Sequence, residues 1–597
     1  MRGAGPAFKV YSNPDPSNTM ISHATLAASL AALPSGAVAS PATYSVAEHF
    51  QVTDSADTHD HARSLQARFE RRRVRELPRS LSSGGHECDE IIGRLCVWDD
   101  GDEGWRPREE PEDIGAARIE FLAALDSLAR LIPGDHWIFG QRIRYFVEAE
   151  RLESAESLAL ACGLPDRWRC DAYLGYVRHH AEDVEGAEDA FARALEAMPA
   201  ELRTEWTDPG LLLDRGLMDW LSAQADSSPA ADRLWLLADP LFLAGGNDRW
   251  TGHLSRWVYA MSSEGARNPH RLRWGDDMAE AAVRYGWPVA WERSWPRGGS
   301  QTFTVTERDN PAAVRTFPPG ELLEFSGEDA VPWEIRDGHA RSVHLPPFLD
   351  SLAPLDGQVG RFWRRDGVVV AAAWKPPTAS VADSAGFAPG PVEAGLFVEQ
   401  FGALELEAKI EARAGETVRI SGLTPWGEWG IVSFEALAPE IRRGYRLRTG
   451  VGLRRVPPDV LSISDLMLLD AHAEPADFDE MLTVLRGSGE VPAGEALSVA
   501  FEVYGLGFRS EVVGFDAWVE KRGEGILSRA VRWLGFGGPK EEVSVSWEEA
   551  GPDRPRPLFR AFRIGLPDLG AGEYDVVVEV SVPGRSPLSG RRSFQVR

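Results

Sequence analysis

Residues 171–199, DAYLGYVRHHAEDVEGAEDAFARALEAMP, decide how the front half of this chain folds. Leu174-Gly175, Ala187, Phe191, Ala194 and Pro199 fall at the spacing of a helix hairpin. A weaker unit precedes it, marked by Ile143, Phe146, Ala155, Ala159 and Cys162. Further upstream, Ile119, Leu122, Leu125, Leu128 and Ile132 recur at helix spacing until Pro133-Gly134. Stacked units of this kind need about three layers to bury a continuous core, and the helix before Pro133 supplies the third. A helix is also expected from Asp60 to about Leu77, with Leu65, Phe69 and Val74 on one face. Its Arg71-Arg72-Arg73 run reads as a solvated helix face.

The 171–199 pattern resembles the tetratricopeptide repeat. It departs from that family at the early aromatic positions, where Asp171 and Arg178 stand. The resemblance implies a concave surface for a protein partner. His179-His180 lies on the same run with no cysteine or glutamate at ligand spacing, and reads as surface polarity.

From about residue 301 the pattern changes to period two. Strands are expected at 359–364, 367–374, 394–400, 403–413, 416–421 and 430–437. After Pro457-Pro458 they continue at 496–505, 512–521, 542–548, 573–582 and 591–597. Short strands separated by Gly/Pro turns imply two successive β-sandwiches. Ile526–Leu534 reads as a short amphipathic helix capping a sandwich end.

Between the two halves, Asp239-Pro240 is followed by Asn247, His253, Arg256 and Tyr259 on a helix. Arg273-Trp274-Gly275-Asp276-Asp277 and Val283-Arg284-Tyr285-Gly286-Trp287-Pro288 come next. This stretch resembles the bacterial domain named for its Gly-Trp-x-Thr-Asp motif. Trp274, Asp277, Tyr285, Gly286 and Pro288 match, whereas Arg273 and Asp276 replace the family's Gly and Thr. The family's biochemical role is not established. The resemblance implies a context: exported bacterial proteins that combine helical repeats with terminal β-sandwiches. Read from the residues alone, Trp274 plugs a core, Asp277 caps a helix from Met278 to Val283, and Gly286 permits a turn into a strand at 289–295. The functional alternative puts Asp276, Asp277, Glu280 and Glu292 in a cleft with Trp291 and Trp295, a composition suited to glycoside chemistry or sugar stacking.

The four cysteines form two pairs of identical C-x7-C spacing, Cys88 with Cys96 and Cys162 with Cys170. Local disulfides in an oxidising compartment are the expected reading. Zinc is the rival, but neither pair has the shorter ligand spacing of zinc sites. Buried free thiols are the third possibility. CDEIIGRLC, residues 88–96, reads as one short helix closed by its bridge. The N-terminus reads as an export leader. Arg2 and Lys9 are basic, the stretch from Ile21 to Leu33 is apolar, and Ala37-Val38-Ala39 fits the cleavage rule.

Acidic residues number 91 against 64 basic ones, a formal net charge of −27. That excludes a general nucleic-acid binder and disfavours docking on anionic lipid. No run spans a bilayer. No HExxH, GxGxxG, Walker loop or GxSxG is present, so neither a cofactor nor a metal is expected. The expected fold is multidomain α+β. A 1–39 leader and a 40–112 helix-and-loop segment come first. A helical repeat domain over 113–224 and the Gly-Trp-x-Thr-Asp-like module over 225–300 follow. Sandwiches occupy 301–455 and 456–597. The expected function is a non-enzymatic interaction or scaffold protein outside the cytoplasm, in the periplasm or secreted, with an unidentified protein partner. A hydrolase acting near 274–295 and a subunit of a homo-oligomer are the alternatives.

Overall fold

The computed structural model describes residues 8–12, 46–80, 88–99, 107–295, 303–324, 330–335, 341–376, 390–413, 415–522, 544–566 and 569–597. The fold is mixed α+β, with packed helices and antiparallel sheets. It divides into two compact units. The first is Met1–Asp214, Gly246–Arg315 and Arg336–Pro347; the second is Arg215–Gly245, Thr316–Ile335 and Phe348–Arg597. The 225–300 stretch is therefore shared between them, split at Gly246.

In the first unit, the helices Arg167–His180 and Val184–Ala197 pack against each other. Asp183 caps the second, accepting a bond from the Gly186 backbone at 3.0 Å. Phe191 is 1% exposed, and a Cβ on Gly175 would lie 2.8 Å from its ring. Only glycine permits that approach. The helix Leu152–Leu160 precedes the pair, and His136–Glu148, capped by Asp135, precedes that.

The helix Glu112–Ala129 buries Leu122 and Leu125 of the expected face but turns Ile119 outward. Ile119 is 58% exposed, and the buried face carries Ile114, Phe121, Leu122 and Leu125. Phe121 sets that phase. Its ring stacks on Phe69 at 5.5 Å and meets Tyr145 edge-on at 5.1 Å. The long helix Val46–Glu76 buries Phe69 and Val74. Its Arg71-Arg72-Arg73 run is not uniformly solvated, because Arg73 is buried with Glu70 and Glu148 as ion partners.

The sheet of this unit has the order Glu90–Ile92, Leu95–Asp99, Phe8–Ser12, Thr304–Arg308, Ala290–Ser294. The pairings are antiparallel. Residues 88–96 are thus a hairpin rather than a short helix. Gly93, at φ +53°, and Arg94 form its turn. Ile91, Ile92 and Val97 favour extended chain, and partners from distant sequence complete the ladder. Apart from Phe8–Ser12, the expected 1–39 leader lies outside the described residues, including the apolar stretch and the Ala37-Val38-Ala39 site.

The second unit holds two pairs of sheets. In the first pair, a six-stranded sheet runs through Ala403–Ala412, Val392–Gln400, Trp429–Ala438 and Arg443–Gly452. It shares one core with the three strands Val418–Thr424, Val368–Trp374 and Gly357–Trp363. Val370, Val398 and Phe434, all fully buried, lie at its centre. In the second pair, Leu497–Tyr504 and Leu558–Ile564 face Val512–Lys521, Gly572–Ser581 and Leu588–Val596 across Val499, Phe501, Phe515 and Val578. The expected helix at 526–534 lies outside the described residues.

Candidate functional site

The helix Asp248–Ser263 brings a cluster of buried ionisable side chains of the first unit together. Asn247 starts it, accepting a bond from the Trp250 backbone at 2.9 Å. Asp248 Oδ2 lies 2.6 Å from His344 Nε2, and His344 Nδ1 lies 3.4 Å from Arg256 Nη2. Arg256 also donates to the carbonyls of Val283, Arg284 and Val343. One turn along, Thr251 Oγ1 is 3.0 Å from His179 Nδ1. Gly252 makes room for both rings: a Cβ there would sit 2.5 Å from His344 Cε1 and 3.3 Å from His179 Cε1. His179 is 1% exposed, so it is a core residue and not surface polarity. Its half-buried neighbour His180 lies against Trp287, with ring centroids 4.2 Å apart.

Burial sets the protonation of this cluster. It pushes the Asp248 carboxyl up to about 8, against the opposing charge of Arg249. It drives the His344 imidazole well below its ordinary value, aided by the cations Arg249 and Arg256. Both effects favour an uncharged pair sharing a hydrogen bond. A carboxyl–imidazole pair is half of a catalytic triad. Here, however, both imidazole nitrogens are engaged, and Asp248 and His344 are 2% and 3% exposed. The arrangement locks the helix to the 341–347 segment.

The motif residues lie beside this cluster. Trp274 is half-buried against the core cluster that holds Ile92, Leu95, Val97 and Met278. Asp277 does not stand at the cap position, although its Oδ1 accepts a bond from the Met278 backbone at 2.9 Å. The helix is Asp276–Tyr285 with Gly275 at its cap, and Asp277 occupies the first turn. Its carboxylate takes two bonds from the Arg94 guanidinium, at 2.6 and 2.7 Å, and one from the Arg94 backbone at 3.0 Å. Partial burial works to raise this carboxyl, but the Arg94 bonds and charge overcome it and hold the pKa below the usual range. Tyr285 is buried, and its hydroxyl meets Glu90 at 3.1 Å. Gly286, at φ +99°, ends the helix, and Pro288 is half-buried before the strand Ala290–Ser294.

The four carboxylates proposed for a cleft do not share a partner. Asp277 is held by Arg94, Glu280 by Arg284 at 3.1 Å, and Glu292 is buried beside Arg308 at 3.4 Å. Asp276 is exposed. Arg94, Glu90 and His344 escape a reading of the sequence because each lies far along the chain from the motif it serves.

Both cysteine pairs are disulfides, with Cα atoms 5.3 Å apart for Cys88–Cys96 and 5.7 Å for Cys162–Cys170. The second ties the turn after Leu152–Leu160 to the first turn of Arg167–His180. Among the described residues no group of His, Cys, Asp and Glu is arranged to hold a metal ion, and no helix is long and apolar enough to cross a membrane. A shallow hollow of about 400 Å³ is lined by Ser55, Ala56, His59, Ile132, Pro133, Gly134 and Asp135. His59 Nδ1 lies 2.6 Å from Asp135 Oδ2 there.

No family model matches the chain, and no curated protein is similar to it. Among solved structures, a "putative beta-galactosidase" from Bacteroides fragilis aligns at 10% identity and a TM-score of 0.13. The alignment covers 40% of this chain and 34% of that protein, about a third of its length. A TM-score that low carries no inference about fold or activity.

Proposed function

We propose that this chain is a non-enzymatic interaction or scaffold protein that works outside the bacterial cytoplasm. In this reading a tetratricopeptide-like helical domain and a Gly-Trp-x-Thr-Asp-like module are followed by two β-sandwich domains. One observation carries the non-enzymatic part. Three of the four carboxylates that the alternative, hydrolytic reading needs are tied to separate arginines of the chain itself. A glycosidase needs a pair of carboxyl groups free to face one bond. The close crossing of Phe191 and Gly175 supports the repeat-like reading. The two disulfides support an oxidising compartment.

The test is photo-crosslinking in the native host, with probes at exposed positions of the 152–197 helices. A distinct polypeptide captured from the envelope fraction, at the same positions in repeated experiments, is the expected result. Crosslinks only within the chain, or any hydrolytic turnover that Asp277→Asn eliminates, would overturn the reading.

A further inference from the structure

Three arginines without a carboxylate partner among the described residues gather beside the end of the Ala290–Ser294 strand. The Arg79 guanidinium lies 4.3 Å from the centre of the Trp295 ring, and Arg293 lies 5.6 Å from the same ring. Arg293 and Arg271 flank Phe303 at 5.7 and 5.2 Å. The two rings are 5.4 Å apart. The backbone holds this arrangement. Ser80 donates to the Arg293 carbonyl and Arg293 to the Pro78 carbonyl, each at 2.8 Å. Arg79 and Arg271 are exposed, while Arg293 and both rings are half-buried.

The cluster sets three arginines, none with a carboxylate partner among the described residues, around two adjoining aromatic rings. Elsewhere in the first unit Arg94, Arg118, Arg142 and Arg284 each meet a carboxylate. Among the described residues Arg79, Arg271 and Arg293 make no ion pair; the Arg293 side chain donates to the Leu77 carbonyl. Glu307 stands nearby on the same sheet, opposite Trp291, but is engaged by His270 at 3.0 Å. In a chain of net charge −27, these three guanidiniums stand without a carboxylate partner among the described residues.

The stacking also defines the ligand. A guanidinium lying on a ring keeps its planar face covered and its N–H edge free, the geometry that grips a carboxylate through two bonds. We propose that this patch binds an acidic polypeptide segment, with aspartate or glutamate carboxylates held by Arg79, Arg271 and Arg293. The proposal deepens the interaction reading above and rests on it for the polymer being a protein.

Fluorescence anisotropy of a labelled Glu-rich decapeptide against the full chain at 0.15 M salt tests it. The Arg79→Gln/Arg271→Gln variant should weaken binding at least about tenfold. The Arg68→Gln/Arg71→Gln variant, with the same change in charge on the helix Val46–Glu76, should weaken it less than about twofold. Absence of peptide binding, equal weakening in both variants, or tighter binding of a sulfated polysaccharide or single-stranded DNA than of the peptide would overturn the assignment. Were the crosslinked envelope partner retained by Arg79→Gln/Arg271→Gln, this surface would fall while the interaction reading stood.

Discussion

Asp277 joins two pieces of chain through one carboxylate. The sequence places it at a helix start, and a cap reading makes Asn an equal substitute. The structure makes it the acceptor of two Arg94 side-chain bonds and one Arg94 backbone bond, which an amide cannot reproduce. Asp277→Asn should therefore lose about 1–3 kcal/mol in urea unfolding. The pH dependence supplies a second check. The folded-state pKa is depressed, so the contribution is present above the unfolded value of about 4 and is lost as pH falls through the lower folded one. The gap between wild type and variant should shrink on acidification in that window. A variant as stable as wild type at pH 7 would restore the cap reading. The motif's spacing made the helix start legible. Arg94 lies 183 residues upstream, and no local pattern ties it to Asp277.

At the scale of elements, legibility followed whether the partner was local. The Arg167–His180 and Val184–Ala197 helices are adjacent in sequence, so the small residue and the ring that fit together appear within one 29-residue window. Phe191→Ala should cost about 3–5 kcal/mol, because the ring is 1% exposed and backed by Gly175. A loss below about 1 kcal/mol would mean that the crossing collapses around the cavity or that the ring adds little. The 88–99 segment is the opposite case. Its strand pairs with Phe8–Ser12, whose other edge takes Thr304–Arg308. That environment, drawn from both ends of the unit, overrides the helix suggested by two cysteines eight positions apart. Ile119 of Glu112–Ala129 faces outward for a similar reason. Aromatic contacts with Phe69 and Tyr145, on other helices, choose which face turns inward.

At the scale of the molecule, the units are interleaved along the chain, whereas a reading by composition assumes contiguous domains. The helices before residue 214 belong with 246–315 and 341–347. Their buried polar groups depend on those segments. Gln141 donates to the Ser262 carbonyl, Gln66 to the Arg267 carbonyl, Trp137 to the Glu264 carbonyl, and His179 meets Thr251. A fragment ending at residue 224, the boundary suggested by hydrophobic periodicity, removes all four partners. Each buried group left unsatisfied costs about 1–3 kcal/mol, against a typical total stability of about 5–15 kcal/mol. The apolar face that Arg167–His180 turns to Asp248–Ser263 is lost as well. Fragment 1–224 should therefore show helical far-UV circular dichroism without a near-UV signal and unfold without a sigmoidal transition. Fragment 1–347 contains every segment of the first unit and should unfold cooperatively in urea. A sharp transition and native-like near-UV spectrum from 1–224 would mean that the helical repeat stands alone, and that the Asp248–His344 cluster is an addition to it and not part of its core.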